Sequence, residues 1–217
     1  MRGVAPNLDP LVWPGKTRFG LVSGKRETTH GALIRLNHPQ ERFANKPKQQ
    51  TGRQLFHQVL AGGLWHVTSP DRFASILRDG AILPNPRIAD SERWGTARGS
   101  AGYPYVRSIS GVSLFDFLNF DENSYSEAYP VSNWAAFVPC PREWPEAVWI
   151  ELHRHLLGDR LIDGPKLLRQ WKAERSSRRF MPLIEAAHVG PIPVSMFRRA
   201  LIYRSGQWCP AHVNLVQ

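Results

Sequence analysis

Cysteine is nearly absent: the 217 residues hold two, Cys140 and Cys209, with no CxxC spacing. A disulfide framework is thereby excluded, and two thiols alone cannot build a zinc site. No run approaches the roughly 18 apolar residues of a membrane span. The first residues, MRGVAPNLDPLVWPGK, lack the apolar stretch of a secretory signal. The expectation is a cytoplasmic protein with no membrane partner. Nucleotide and metal signatures are missing too: there is no GxGxxG behind a strand, no GxxxxGKS/T and no HExxH. A nucleotide, if bound, needs another architecture, and no metal is expected. Acidic residues are scarce, 18 against 28 Lys and Arg, a net charge of +10. That excess favours a polyanionic partner, nucleic acid before an acidic membrane surface. A generally basic soluble protein has the same composition.

What is present divides the chain. Residues 1–55 carry ten Lys or Arg against three acids, seven of the ten net charges, with poor periodicity. They read as a basic N-terminal arm, partly ordered, in which Lys46 and Lys48 are candidate phosphate-backbone contacts; a solvated extension is the plain alternative. Residues 56–217, with 42% apolar content in the whole chain, are enough for one domain with a buried core. Gln54–Ala61 reads as a short helix. Leu64–Thr68 (LWHVT) is a strand behind two glycines. Ser69-Pro70-Asp71 opens a helix whose apolar face is Phe73, Ile76 and Leu77, and Gly80 stops it.

Residues 85–110 form a long loop, RWGTARGSAGYPYVR at its centre, in which Trp94, Arg98, Tyr103 and Tyr105 are candidates to stack on and neutralise a single strand. Gly111–Phe117 (GVSLFDF) is the second clear strand, with Val112, Leu114 and Asp116 on one face. LNFDENSYSEAYP is a turn or short helix. Ala135–Val138, Ala147–Leu152, Met181–Ala187 and Arg199–Arg204 are further strands, and Gly164-Pro165 opens a helix. His153-x-His155 offers two imidazoles and no third ligand, too few for a metal.

Two residues stand out chemically. His66 is an imidazole mid-strand, either a satisfied core histidine or a ligand-orienting group. Glu185, beside Leu183 and Ile184, is a carboxylate in an apolar stretch, costly unless exposed, paired or used. Strand-His-x-Thr, a turn, a helix ending ILRDG and a Pro-containing loop resemble the first motif of ADP-ribosyltransferases, most closely the DarT-type toxins that modify single-stranded DNA. About 120 residues later, strand-Glu, then Ile192-Pro193-Val194 and a final Ile/Leu-rich strand resemble that type's last motif. GVSLFDF falls where the family places its second. The resemblance covers about a quarter of the chain, and the arginine that follows the second strand in that type has no match here.

The resemblance implies an α+β fold: two small, mostly antiparallel sheets around an NAD cleft, with flanking helices. It implies transfer of ADP-ribose from NAD, used as substrate, to DNA or RNA, in a bacterial toxin or phage-defence effector that an antitoxin protein would neutralise. Glu185 is then the catalytic carboxylate, and His66 orients a ribose of NAD. Thr68 and Ser69 line the cleft, Tyr125 stacks on nicotinamide with Phe115 and Tyr129 behind it, and Arg107 stands in for the missing arginine. Both principal residues are expected to face one cleft. A protein acceptor, RNA 2′-phosphotransfer and a non-catalytic nucleic-acid-binding module are the alternative readings.

Overall fold

The structure, a computed structural model, describes residues 52–89, 102–132, 134–141 and 144–211. All of them belong to one compact unit, Gln50–Gln217. The basic arm, with Lys46 and Lys48, and the loop residues Trp94 and Arg98 lie outside the described residues.

The described residues form five α-helices and nine strands. Helix α1 (Gly52–Val59) leads into β1 (Leu64–Thr68) and α2 (Pro70–Asp79). Ser69 caps α2 in extended backbone, Pro70 supplies a ready-set φ, and Gly80 closes the helix at φ 71°, where a side chain would be strained. Strand β2 (Ala81–Ile82) follows, then α3 (Tyr105–Ser108), β3 (Gly111–Asp116) and α4 (Glu122–Ala128). The Asp121 side chain accepts the Ser124 N–H and starts α4. Strand β4 (Glu146–Leu152), β5 (Leu161–Ile162), α5 (Gly164–Ala173), β6 (Glu185–Val189), β7 (Ile192–Pro193), β8 (Phe197–Arg204) and β9 (Gln207–Pro210) complete the order.

Seven strands make one antiparallel sheet in the order β5-β6-β3-β1-β4-β8-β9, and β2 pairs β7 in a small separate ribbon. The class is therefore α+β and mostly antiparallel. The expected two small sheets are instead one seven-stranded sheet and a ribbon. Its central joint is short. β1 and β3 share two registered pairs, Leu64 with Asp116 and Trp65 with Phe115. β1 pairs β4 at four positions, and β3 pairs β6 at five. The sheet is thus two antiparallel blocks, β5-β6-β3 and β1-β4-β8-β9, held together at one end of β1.

Side-chain alternation gives each face its own core. One face buries Leu64, Val112, Leu114, Val148, Ile150 and Ala186 under Phe73 of α2 and Ile82 and Ile192 of the ribbon. The other buries Trp65, Phe115, Trp149 and Ala147 under an aromatic layer from Phe56, Phe117, Tyr125 and Trp134. Rings there meet edge to face, Phe56 with Phe117 at 4.8 Å and Phe120 with Trp134 at 4.7 Å. The two fully buried indoles of the sheet are satisfied: Trp65 donates to the Leu60 carbonyl and Trp149 to that of Pro139.

Two expected strands are corrected. Ala135–Val138 is not a strand; Trp134–Ala136 is a 3-10 turn, since Trp134 is drawn into the aromatic layer and Pro139 has no N–H for a ladder. Met181–Ile184 is a turn ahead of β6: the Glu185 N–H returns to the Met181 carbonyl at 3.0 Å, and Leu183 sits at φ 63°. The final strand, expected over Arg199–Arg204, starts at Phe197 and is followed by β9, which pairs with it.

Candidate active site

Glu185 is the first residue of β6 and is 4% exposed. Register places it with Phe115 of β3, and through Phe115 with Trp65 of β1, on the aromatic face. Its carboxylate is held at both oxygens. Ser113 Oγ donates to Oε1 at 2.7 Å, and the Met181 N–H donates to Oε2 at 2.8 Å. Burial pushes its pKa up to about 6; the Met181 N–H and the Ser113 hydroxyl pull the other way. Each oxygen keeps a further lone pair for a ligand.

His66 is half-buried in β1, beyond the last β1–β3 pair. Its Nδ1–H donates to the Ser113 carbonyl at 3.0 Å. A ring nitrogen thus takes a carbonyl where the ladder has stopped. Burial lowers the imidazole's pKa, opposed by that same bond, so the ring is neutral at pH 7 and Nε2 is an acceptor.

Both expected residues therefore converge on Ser113, which the sequence reading missed. Its hydroxyl holds Glu185 and its carbonyl holds His66. The expectation that both face one cleft is not met. Alternation places His66 beside Leu64 and Glu185 beside Phe115, on opposite faces, and the two are linked only through Ser113, whose carbonyl receives the imidazole and whose hydroxyl reaches the carboxylate. A signal for Ser113 was present: in GVSLFDF the residues Ser113 and Phe115 share the face opposite Val112 and Leu114.

The remaining candidates separate by burial. Tyr125 of α4 is 5% exposed, bonded to Ser132 Oγ at 2.7 Å and tilted against Tyr129 at 5.2 Å. Burial pushes its pKa up to about 12, with the Glu185 carboxylate adding to the rise, so the two side chains are electrostatic neighbours. Phe115 is buried against Phe117, and Tyr129 is half-buried. Thr68 is buried at the end of β1, opposite Val148, and Ser69 is the half-buried cap of α2. Arg107 of α3 lies 3.5 Å over the Tyr103 ring. Tyr105 is corrected: at 1% exposure it anchors α3 against Leu167 and Ala187 and has no face left for a base.

His153 and His155 are not on a strand; β4 ends at Leu152, and the rings meet edge to face at 5.4 Å around a 3-10 turn. Among the described residues no group of three His, Cys, Asp or Glu could hold a metal. Glu151, near the strand end as expected, is buried and structural: Arg198 and Arg199 bond its two oxygens at 2.9 and 2.6 Å. The basic surface nearest Glu185 was also missed. From Lys166 to Arg179 there are six cations, at 166, 169, 172, 175, 178 and 179, against Glu174 alone. The first four are exposed, and the run leads directly into the turn that holds Glu185.

Comparisons with protein-family models, with curated proteins and with solved structures found no match for this chain. Among the described residues no helix is long and apolar enough to cross a membrane.

Proposed function

We propose that the chain is an NAD-dependent mono-ADP-ribosyltransferase with an ADP-ribosyltransferase-like fold and a nucleic-acid acceptor. The observation that carries this reading is the buried Glu185 carboxylate, held at both oxygens by the Ser113 hydroxyl and the Met181 N–H; His66, 119 positions away in the chain, bonds the main-chain carbonyl of the same serine from the other face of the sheet. A buried carboxylate held by a hydroxyl and a backbone N–H is a positioned charge. Cleavage of the nicotinamide–ribose bond builds positive charge on the ribose, an oxocarbenium-like state. A carboxylate fixed beside it stabilises that charge without reorganising. With a pKa near 6, Glu185 is ionised at neutral pH.

In this reading His66, fixed in its Nδ1–H tautomer, accepts a ribose hydroxyl at Nε2. Tyr125 closes the site on the Glu185 side. Glu185 is nearly covered, so a ribose reaches it when the cover moves. The Met181–Ile184 turn is the element suited to give, because Leu183 already holds a strained, left-handed conformation. The cations from Lys166 to Arg179 favour a phosphate-bearing acceptor over a protein.

The test is incubation of the full chain with labelled NAD and separate pools of single-stranded DNA, RNA and protein. Label on a nucleic acid supports the reading. Label on protein alone reassigns the acceptor, and no label in any pool removes the transferase.

A further inference from the structure

His188, three residues along β6 from Glu185, lies on the other face of the sheet, paired with Val112 of β3 and Leu161 of β5. It is 1% exposed, yet it forms part of the wall of an open cavity of about 580 Å³. Small-molecule sites commonly fall between roughly 300 and 1,000 Å³, apolar with a few convergent polar groups. Its volume falls in that range, and its lining is mixed: Leu156, Pro191, Pro193 and Met196 are apolar, and Asp159 and Arg160 are charged.

The polar groups are ordered. The His188 Nδ1–H donates to the Gly190 carbonyl at 3.1 Å, so in the neutral ring Nε2 is an acceptor. Burial lowers the pKa of this imidazole and nearby Arg160 lowers it further, which keeps it neutral at pH 7. The Arg160 guanidinium lies over Gly190; a Cβ added there would stand 3.8 Å from Nη1. A buried imidazole, a carboxylate and a guanidinium thus line one open cavity together with apolar side chains.

We propose that this cavity is a second ligand site, distinct from the Glu185 site, that takes a 5′-mononucleotide unit. The planar base packs against Pro191, Pro193 and Met196, and its exocyclic amino group donates to His188 Nε2. The ribose hydroxyls donate to Asp159, as a carboxylate commonly receives a ribose diol. The phosphate takes Arg160. The proposal does not depend on the transferase reading, because His188 and Glu185 lie on opposite faces of β6 and no residue of the cavity wall is used in that reading. The unit is either a free nucleotide or the terminal nucleotide of a strand; the chemistry is the same.

The test is titration of the full chain with 5′-AMP, 5′-GMP and 5′-CMP, with 5′-UMP, which has no exocyclic amino group and should bind more weakly, and separately with a short 5′-phosphorylated oligonucleotide, followed by calorimetry and by the His188 ring signals in NMR. One saturable event that moves those signals is expected. Arg160→Ala, an exposed change that leaves the fold intact, should weaken it about tenfold or more, the loss of one charge-assisted contact. Met196→Trp, which fills the slot, should abolish it. Tighter binding of mononucleotides assigns a free ligand, and tighter binding of the oligonucleotide a strand end. No binding of either at millimolar concentration overturns the proposal. Binding undiminished by Arg160→Ala, or without movement of the His188 signals, overturns it equally.

Discussion

At the scale of single residues, Glu185 makes the most specific claim. Its carboxylate titrates near 6 in the fold, above the usual 4.5. The folded state therefore keeps its proton where the unfolded state has lost it, and stability falls as pH rises from about 4.5 through 6. The rise from 4.5 to about 6 corresponds to about 2 kcal/mol. His66, held neutral, contributes the opposite slope below its ordinary 6.5, so the two are separated by comparing variants. Glu185→Gln should be more stable than the wild type at pH 8 and lose that advantage by pH 4. The amide oxygen can accept the Met181 N–H while its NH2 donates to Ser113 Oγ, so both contacts survive. Thermal unfolding of both proteins across pH checks this.

The same substitution tests the chemistry. Gln offers dipole but no charge to the oxocarbenium, and transfer should fall on the order of 100- to 1,000-fold with NAD affinity nearly intact. His66→Ala should weaken NAD binding itself, because His66 would hold the ground-state cofactor. Single-turnover rates set beside equilibrium NAD binding distinguish the two. A Glu185→Gln protein that labels at the wild-type rate takes Glu185 out of the mechanism.

At the scale of elements, the turn before β6 depends on α5. Gly164 opens that helix and is buried directly against the Leu183 backbone, so that a Cβ there would overlap the Leu183 carbonyl. Gly164→Ala should destabilise by about 1–3 kcal/mol, the usual range for overpacking. It should also displace the turn, two residues from Glu185, and lower transfer beyond the loss of folded protein. Leu183 provides the complementary test. At φ 63° a β-branched side chain is a severe outlier, whereas glycine is at ease. Leu183→Val should lower the melting temperature and Leu183→Gly should not. Equal melting temperatures for the two would show that the turn carries no strain.

At the scale of the whole molecule, charge is distributed unevenly. The run from Lys166 to Arg179 adds a described basic surface to the cations of residues 1–55. If the acceptor strand follows α5, each phosphate contact contributes about 0.7 to the slope of log affinity against log salt for single strands. Replacing Lys166, Arg169 and Lys172 together with Gln should flatten that slope by about 2. Removing residues 1–55 should flatten it separately. Binding measured over a salt series for each variant assigns the charges to one segment, both or neither.

Local chemistry was legible in the sequence. The elements from Leu64 to Gly80 follow from a β-branched and aromatic run, a Ser-Pro-Asp start and a glycine stop, because strand and helix signals act over a few neighbours. The candidate pair His66 and Glu185 was also legible, since each stands in a short patterned stretch. The joining of the sheet was not. Strand order depends on which antiparallel edges meet, and β1 parts from β3 after two pairs, which no local pattern encodes. Ser113 gains its importance only there, where a carbonyl released from the ladder meets His66 and its hydroxyl meets a glutamate 72 positions away. Tyr105 shows the reverse: its neighbourhood in sequence reads as an exposed loop, but α5 and β6 close over it, because burial is decided by what the rest of the chain packs on top.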